Sequence, residues 1–341
     1  MSDTQAKYPL IHAAIGANSH TLNRLSIHGD ALWGCQIRSY FHLHELELIF
    51  PTDLGGLSLI FHHCTRLRSF SLYTSGNRYQ LSALLESNPT ALPDLTSFKL
   101  ITQRAEISEA DHAALSRFLE NKKKLRRLDV SHDTYDDSVH FLLPFLPVLP
   151  ALEVLGLDLP SLPFDGGWDW INMRDLDEKI PLKISALMVR VPPEWETEER
   201  FTDQEWIKLV RTSIQRNAVC RHSPSIHHLQ FKKRTSLGYL HILDGTDDMD
   251  LKQQLLEDHP ASLQLVGYGP YLRWLRRDDP DSPDGDGKPS YSSCWSLEKV
   301  AHRTVEDFGC EDWEWLLRHH DRNGLGTSVS RHQPMKTHSM A

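Results

Sequence analysis

Short apolar segments of one pattern recur along the first two thirds of the chain. In each segment an apolar residue is followed by two variable residues, a second apolar residue, one variable residue and a third apolar residue. The first six segments begin with Leu, and the first five steps between them measure 21 to 30 residues. The eight segments begin at Leu22, Leu43, Leu67, Leu95, Leu125, Leu152, Ile184 and Ile226. A period of this length predicts similar structural units that stack and share one core.

The spacing inside each unit predicts a short strand and a short helix. The last two apolar residues of a segment alternate with variable ones, which is the period of a strand with one buried face. Between the second and third segments, Leu54, Leu57, Phe61 and Cys64 follow helical spacing. Leucine is concentrated accordingly, with 30 of the 50 leucines in residues 1–160. We expect parallel strands on one side of the molecule and helices on the other.

The alternation also predicts which side chains face away from the core. If Leu25 and Ile27 point inward, their neighbours point to the opposite, concave side of the sheet. This set has mixed charge and includes a Tyr, which suits a surface that binds protein, although an ordinary solvated sheet face remains the alternative. The predicted binding residues are Arg24, Ser26, His28, Glu45, Glu47, Ser71, Tyr73, Lys99, Arg127, Asp129 and Asp158.

The repeat segments resemble those of leucine-rich-repeat proteins, and more narrowly the degenerate repeats of fungal F-box proteins. The resemblance covers roughly residues 10–231, and the segment 261–277 looks like the closing portion of such chains. It implies an irregular α/β solenoid with a parallel sheet on the concave face. It also implies substrate recognition for a cullin-type ubiquitin ligase. Two features depart from the family: no Leu-Pro-led F-box pattern precedes Leu22, and the Asn or Cys expected three positions after each strand is absent.

Composition divides the chain into three expected parts. Only Trp33 precedes residue 160, whereas eight tryptophans follow it. We expect an irregular solenoid over residues 1–235 with an insertion near 160–180, and a Trp-rich helical C-terminal cap over 236–322. The cap includes a predicted helix at 305–319 and an exposed acidic loop at 278–289, which is rich in Asp, Pro and Gly. Residues 323–341 are expected to form a disordered tail.

The residues that carry catalytic or metal chemistry form no strong motif. Five widely spaced cysteines without a CxxC pair indicate neither a disulfide framework nor a cysteine-rich zinc site. Cys220, His222, His227 and His228 leave open a weak metal site in the His-rich second half. A metal-dependent or other hydrolytic enzyme built on that half is the alternative function. The sequence has no GxSxG, GxxxxGK[ST] or strand-linked GxGxxG motif, so we expect a binding protein without cofactors.

Charge and hydropathy exclude further classes of protein. Against 37 Lys and Arg stand 46 Asp and Glu, which gives a formal charge of −9 and no electrostatic footprint for nucleic acid. The short basic clusters at 122–127 and 232–234 are expected to be solvated surface. The longest uncharged apolar run, residues 141–152, is too short for a membrane helix, and the first residues do not resemble a signal peptide. We therefore expect a cytoplasmic or nuclear protein whose partner is another protein.

The repeat register makes a prediction about stability. Leu128→Ala or Leu155→Ala should each lower the free energy of unfolding by about 2–5 kcal/mol, because each removes an inward side chain. Lys99→Ala, on the outward side, should cost less than about 0.5 kcal/mol. Urea denaturation of the three variants measures these differences, and the register would be in doubt if Lys99→Ala were the most destabilising.

Overall fold

Eleven strands form one long, mostly parallel sheet in the computed structural model. The strands follow one another in chain order, and the first and last are not neighbours, so the sheet is not closed into a barrel. Strands β1–β9 are parallel, and β10 and β11 are added antiparallel. The structure describes residues 8–37, 40–75, 78–103, 109–132, 142, 144–158, 179–190, 234–243, 256, 259–269, 271–276 and 289–320.

The strands are short, with two to seven residues each. They are β1 Arg24–His28, β2 Glu45–Ile49, β3 Ser69–Ser75, β4 Ser97–Gln103, β5 Arg127–His132, β6 Val154–Asp158, β7 Ala186–Arg190, β8 Tyr239–Leu243, β9 Leu265–Tyr268, β10 Tyr271–Arg276 and β11 Ser290–Tyr291. The described helices are α1 Pro9–Asn18, α2 Gly29–Leu32, α3 Leu57–His63, α4 Arg78–Ser87, α5 Glu109–Glu120, α6 Leu297–Ala301, α7 Val305–Phe308 and α8 Glu311–Leu317, with a 3₁₀ turn at Leu146–Val148.

One face of the sheet, here the back face, carries an uninterrupted apolar core. The parallel register aligns the inward residues of successive strands into rows that run across the sheet. One such row is Leu25, Leu46, Phe70, Phe98, Leu128, Leu155, Leu187, Leu240 and Val266. Phe61 on α3 and Phe118 on α5 stack against each other with ring centroids 5.9 Å apart and extend this core. Burying these rows is what makes the leucine spacing form a sheet.

The opposite face, here the front face, changes character along the sheet. On β1–β5 one of its rows reads Ser26, Glu47, Ser71, Lys99 and Asp129. On β6–β10 the front face instead carries Val154, Ala186, Met188, Tyr239, Leu265 and Leu272, which are all buried. These residues form a second core with Trp295, Phe308, Trp313, Leu316 and Leu317. The C-terminal helices therefore cover the front face.

The expectation of an α/β chain with a parallel sheet is confirmed, and the first seven repeat segments supply β1–β7. The helical cap expected over residues 236–322 is wrong in part, because β8–β11 continue the sheet, and α6–α8 lie in the described part of this range after β11. The predicted helix at 305–319 is divided by Gly309, whose φ of 63° ends α7 in the left-handed conformation. The eighth segment, the 160–178 part of the predicted insertion, most of the acidic loop and the tail lie outside the described residues.

Candidate functional site

The front face of the sheet is occupied by the chain's own residues 311–320, here called the covering segment. It consists of α8 and the three residues that follow it, Arg318, His319 and His320. Its tryptophans lie over different strands: a Cβ on Gly238, just before β8, would approach Trp313 to 2.9 Å. A Cβ on Gly156 of β6 would meet the carboxylate of Asp129 first and a methyl group of Leu316 at 3.1 Å. The two glycines thus leave room for Trp313, and for Asp129 together with Leu316.

Lys99 on β4 binds the C-terminal end of α8. Its Nζ donates to the backbone oxygens of Trp315, Leu316 and Arg318 at 2.6, 2.9 and 3.1 Å. These carbonyls belong to the last turn, where helix carbonyls lack a partner within the helix and the dipole favours a cation. The ammonium also lies 2.8 Å from Oδ2 of Asp129 and 4.6 Å from the ring centroid of Trp315. Lys99 is 0% exposed, so four oxygens replace the water around its charge.

Arg127 on β5 and Arg126, the residue just before that strand, bind the first turn of the same helix. The guanidinium of Arg126 is bidentate to Asp312, with two contacts of 2.7 Å. Arg127 donates to the same carboxylate at 2.6 Å and to Glu311 at 3.2 Å. Carboxylates in a first turn are favourable near the positive end of the helix dipole, and bidentate pairs fix orientation. Residues on and next to the sheet strands β4 and β5 thus hold α8 by both of its ends.

The three residues after α8 continue across β5, β3 and β2. The Nε2 of His320 donates to Oδ2 of Asp129 at 2.8 Å. His319 lies 2.9 Å from Oε1 of Glu47 and packs on the ring of Tyr73 with centroids 4.2 Å apart. Arg318 pairs with Glu314 and lies 3.6 Å from Glu47. The covering segment therefore extends across the sheet as far as β2.

Burial sets the protonation states in this cluster. For Asp129, burial favours the neutral form, but His320 and Lys99 outweigh it and hold the pKa at about 2. Burial lowers the pKa of Lys99 and of His320, although Asp129 opposes the change in both. Burial likewise opposes ionisation of Glu47, and the hydrogen bonds from His319 and Ser26 together with Arg318 lower its pKa to about 2. At neutral pH both carboxylates are therefore ionised, and each accepts a hydrogen bond from a histidine.

The structure divides the residues predicted to bind a partner into two groups. Arg24, Ser26 and His28 on β1 are exposed, and Glu45 and Glu47 on β2 are partly exposed. The other six lie buried, most of them beneath or beside the covering segment: Ser71, Tyr73, Lys99, Arg127, Asp129 and Asp158. For these six the expectation of an open surface is corrected, since polar side chains from the C-terminal end take the place of solvent.

Asp158 belongs to a neighbouring polar group on the same face. It accepts a hydrogen bond from Ser131 on β5 at 3.0 Å. Arg190 on β7 donates to the same Ser131 hydroxyl at 3.1 Å and is aligned with Asp158 in the register of the two strands. Arg190 was not among the residues predicted from the sequence. The polar character of the front face thus extends past β5 at this end of the strands.

Sequence reasoning missed Asp312, Arg318, His319 and His320 as parts of this site. The basic cluster at 122–127 is not simply solvated either, because Arg126 and Arg127 bind α8 and Lys122 donates to the carbonyls of Pro89 and Ala91. A usable signal was Gly156, a glycine in the middle of a strand that marks the close approach of another part of the chain. Nothing in the local pattern identified which part.

The metal hypothesis stays untested at its own residues. Cys220, His222, His227 and His228 lie outside the described part of the chain. Among the described residues, no group of three or more His, Cys, Asp or Glu side chains is placed to hold a metal ion. Nor does any helix within those ranges have the length and apolarity needed to cross a bilayer.

Comparisons with known proteins do not assign the chain. No protein-family model matches the sequence, and no curated protein matches it. The function must therefore be argued from the geometry of the front face.

Because Lys99 is buried, we no longer expect Lys99→Ala to be nearly neutral for stability, as its outward position in the sequence pattern predicted. Lys99→Ala should lower the free energy of unfolding by about 3–5 kcal/mol, because it removes the cation that is paired with the buried Asp129 and leaves three carbonyls without their donor. Lys124→Ala, which removes an exposed ion pair with Asp94, should cost less than about 1 kcal/mol. Urea denaturation of both variants measures the contrast, and equal costs would contradict the buried position of Lys99.

The low pKa of Glu47 predicts a loss of stability in acid. A carboxylate with a depressed pKa stabilises the folded state above its unfolded pKa, and this contribution disappears as the pH falls through the folded value. Compared with Glu47→Gln, the wild-type chain should be more stable at pH 7 by on the order of 2 kcal/mol. The difference should shrink between about pH 4.5 and pH 2. Unfolding measured across this range tests the prediction, which fails if the difference is independent of pH.

Proposed function

We propose that the protein is a protein-interaction module, an irregular leucine-rich-repeat solenoid that binds its partner on the front face, the concave side of the proposed solenoid. The observation that carries the proposal is that this face already binds a polypeptide, its own residues 311–320. Lys99 binds main-chain carbonyls, Arg126 and Arg127 bind a carboxylate, and Glu47 and Asp129 accept hydrogen bonds from His319 and His320. Such contacts suit recognition of a peptide segment.

The part of this face that is open to a partner lies on β1 and β2. Arg24, Ser26 and His28 are exposed there, and Arg24 pairs with Glu45. Ser26 donates to Glu47 at 2.7 Å, which connects the open strands to the covered part of the face. Surface ion pairs such as Arg24–Glu45 contribute little to stability, so exchanging them for contacts with a partner costs little.

The composition of the covered part also supports binding. Trp315 lies between two cations, with its ring centroid 4.6 Å from Nζ of Lys99 and 5.8 Å from the guanidinium carbon of Arg127. Tryptophan and arginine are enriched among the residues that dominate binding energy at protein interfaces. The front face thus has the character of an interface even where its occupant is intramolecular.

We further propose that the partner is a substrate of a cullin-type ubiquitin ligase. Its support is the resemblance of the repeat segments to those of fungal F-box proteins, and analogy between folds is a weaker warrant than site geometry. The hydrolytic alternative has no support from the described residues. The two proposals are separable, because partner binding on β1 and β2 does not depend on ligase membership.

Affinity capture with the full chain tests the binding surface. Arg24→Glu with His28→Glu reverses the charge of the exposed strand without replacing any residue of the covering segment. Partner recovery should fall at least about tenfold relative to wild type, which corresponds to roughly 1.4 kcal/mol of binding free energy. Quantitative mass spectrometry of the captured proteins provides the measurement.

A matched variant on the other side of the sheet serves as control. Arg117→Glu with His62→Glu changes an exposed Arg and an exposed His on α5 and α3, and it should leave recovery unchanged. Equal recovery by both variants would reject β1 and β2 as the binding surface. The cullin proposal is supported by ligase components in the wild-type capture and rejected if the captured partner comes without them.

A further inference from the structure

The three residues after α8 are held differently from the helix itself. Trp313, Leu316 and Leu317 of α8 are buried in the second apolar core. Arg318, His319 and His320, here called the tail clip, contact polar and aromatic side chains of β2–β5, including Lys99, which donates to the backbone oxygen of Arg318, and Arg318 also pairs with Glu314 of α8. The clip can therefore leave the front face without exposing the apolar core that anchors α8.

The clip has a backbone conformation that is unfavourable for its sequence. His319 has a φ of 69°, in the left-handed region that only a few per cent of non-glycine residues adopt, although His does so more often than most. The conformation places its imidazole on Glu47 and Tyr73 and turns His320 toward Asp129. The contacts with the front face maintain this conformation, and releasing the clip would remove the strain.

The face beneath the clip retains unused binding capacity. Asp129 is 1% exposed, yet its Oδ1 has no hydrogen-bond partner, because both His320 and Lys99 contact Oδ2. A buried acceptor without a donor is costly, and water or a different ligand would satisfy it. The clip is thus an incomplete match to the surface that it covers.

We propose that the tail clip is an internal stand-in for a basic, extended segment of the partner, which displaces it and binds Glu47 and Asp129. This inference rests on the proposed function and adds the partner's chemistry and its competition with the chain's own end. The partner segment would place Arg or His side chains on the two carboxylates and a main-chain carbonyl near Lys99. An acidic segment would be repelled by Glu45, Glu47 and Asp129.

The position of the clip explains why displacement would enlarge the binding surface. Glu47 is aligned with Ser26 on β1 and with Ser71 on β3, and Lys99 and Asp129 follow in the same row. Releasing the clip would therefore connect the open strands β1 and β2 to Ser71 and to the side of Asp129 that His320 covers, while Trp315 and Leu316 of α8 keep their contacts with Lys99. A partner segment that starts on Arg24 and Ser26 could then extend along the row to Asp129.

A peptide copy of the clip tests whether the face accepts it in trans. The probe is a fluorescein-labelled peptide of residues 316–322, Leu-Leu-Arg-His-His-Asp-Arg, added to the intact chain. His319→Glu with His320→Glu should release the clip, because the new carboxylates face Glu47 and Asp129. Fluorescence anisotropy should show at least about tenfold tighter binding of the probe to this variant than to wild type.

Two controls define the site of binding. Adding Glu47→Gln to the released variant should abolish the gain in affinity, and a peptide with Glu-Ser-Ser in place of Arg-His-His should not bind. The proposal is overturned if the released chain binds the probe no more tightly than wild type, or binds both peptides equally. If the released chain binds the probe but Arg24→Glu with His28→Glu does not reduce recovery of the partner, the proposed function is rejected and the clip proposal is not. If that variant loses the partner but the released chain does not bind the probe, the clip proposal is rejected and the proposed function is not.

Hydrogen exchange of the unaltered chain gives a second test that does not depend on the variants folding. If the clip opens locally, the backbone amides of His319 and His320 should exchange at least about 100-fold faster than those of Leu316 and Leu317 in α8. Equal protection of the clip and the helix would show that they open only together and would overturn the proposal.

Discussion

Lys99 is the contact on which the covered front face depends. Its ammonium, on β4, binds Asp129 of β5 and also three carbonyls at the end of α8. No other charged group in the described part of the chain binds both Asp129 and these carbonyls. A buried cation is tolerated only when oxygens replace its hydration, so the position of Lys99 requires the C-terminal segment to lie where it does. Asp129 in turn fixes His320, and Glu47 fixes His319. The order of strands, which places 99 beside 129, makes this arrangement possible.

The two faces of one sheet are buried for different reasons. The back face is apolar along its whole length, and helices such as α3 and α5 cover it with further apolar side chains. The front face is apolar only from β6 onward, where Trp295, Trp313 and Phe308 pack on Tyr239 and its neighbours. On β2–β5 it is polar, and the covering segment supplies matching charges and hydrogen bonds instead of hydrophobic contact. A polar surface that a polypeptide covers through specific pairing is what an interface looks like, which is why the described contacts support a binding function.

Particular residues show how far the sequence alone could predict this arrangement. Alternation with polar residues predicts that strand residues such as Leu46, Leu48, Leu128 and Val130 face inward. All four are buried in the structure. The same pattern is present at Leu237, Leu240 and Ile242 and at Leu263, Val266 and Tyr268, which become β8 and β9, although the longer spacing conceals them. Arg24 and His28 are exposed, as alternation predicts. Lys99 and Asp129 were also placed on the correct face, but their burial depends on residues about 190 to 220 positions away.

The sequence by itself determined the period, the identity of the strands β1–β7 and the face on which each of their side chains lies, because these follow from local alternation and from the need to bury leucine. Only the tertiary structure decided that residues 311–320 return across the front face. That outcome depends on the complementarity of Lys99, Arg126 and Arg127 with α8, and on the room left by Gly156 and Gly238. Such pairing is distributed over distant parts of the chain and has no local period, so no window of the sequence contains it.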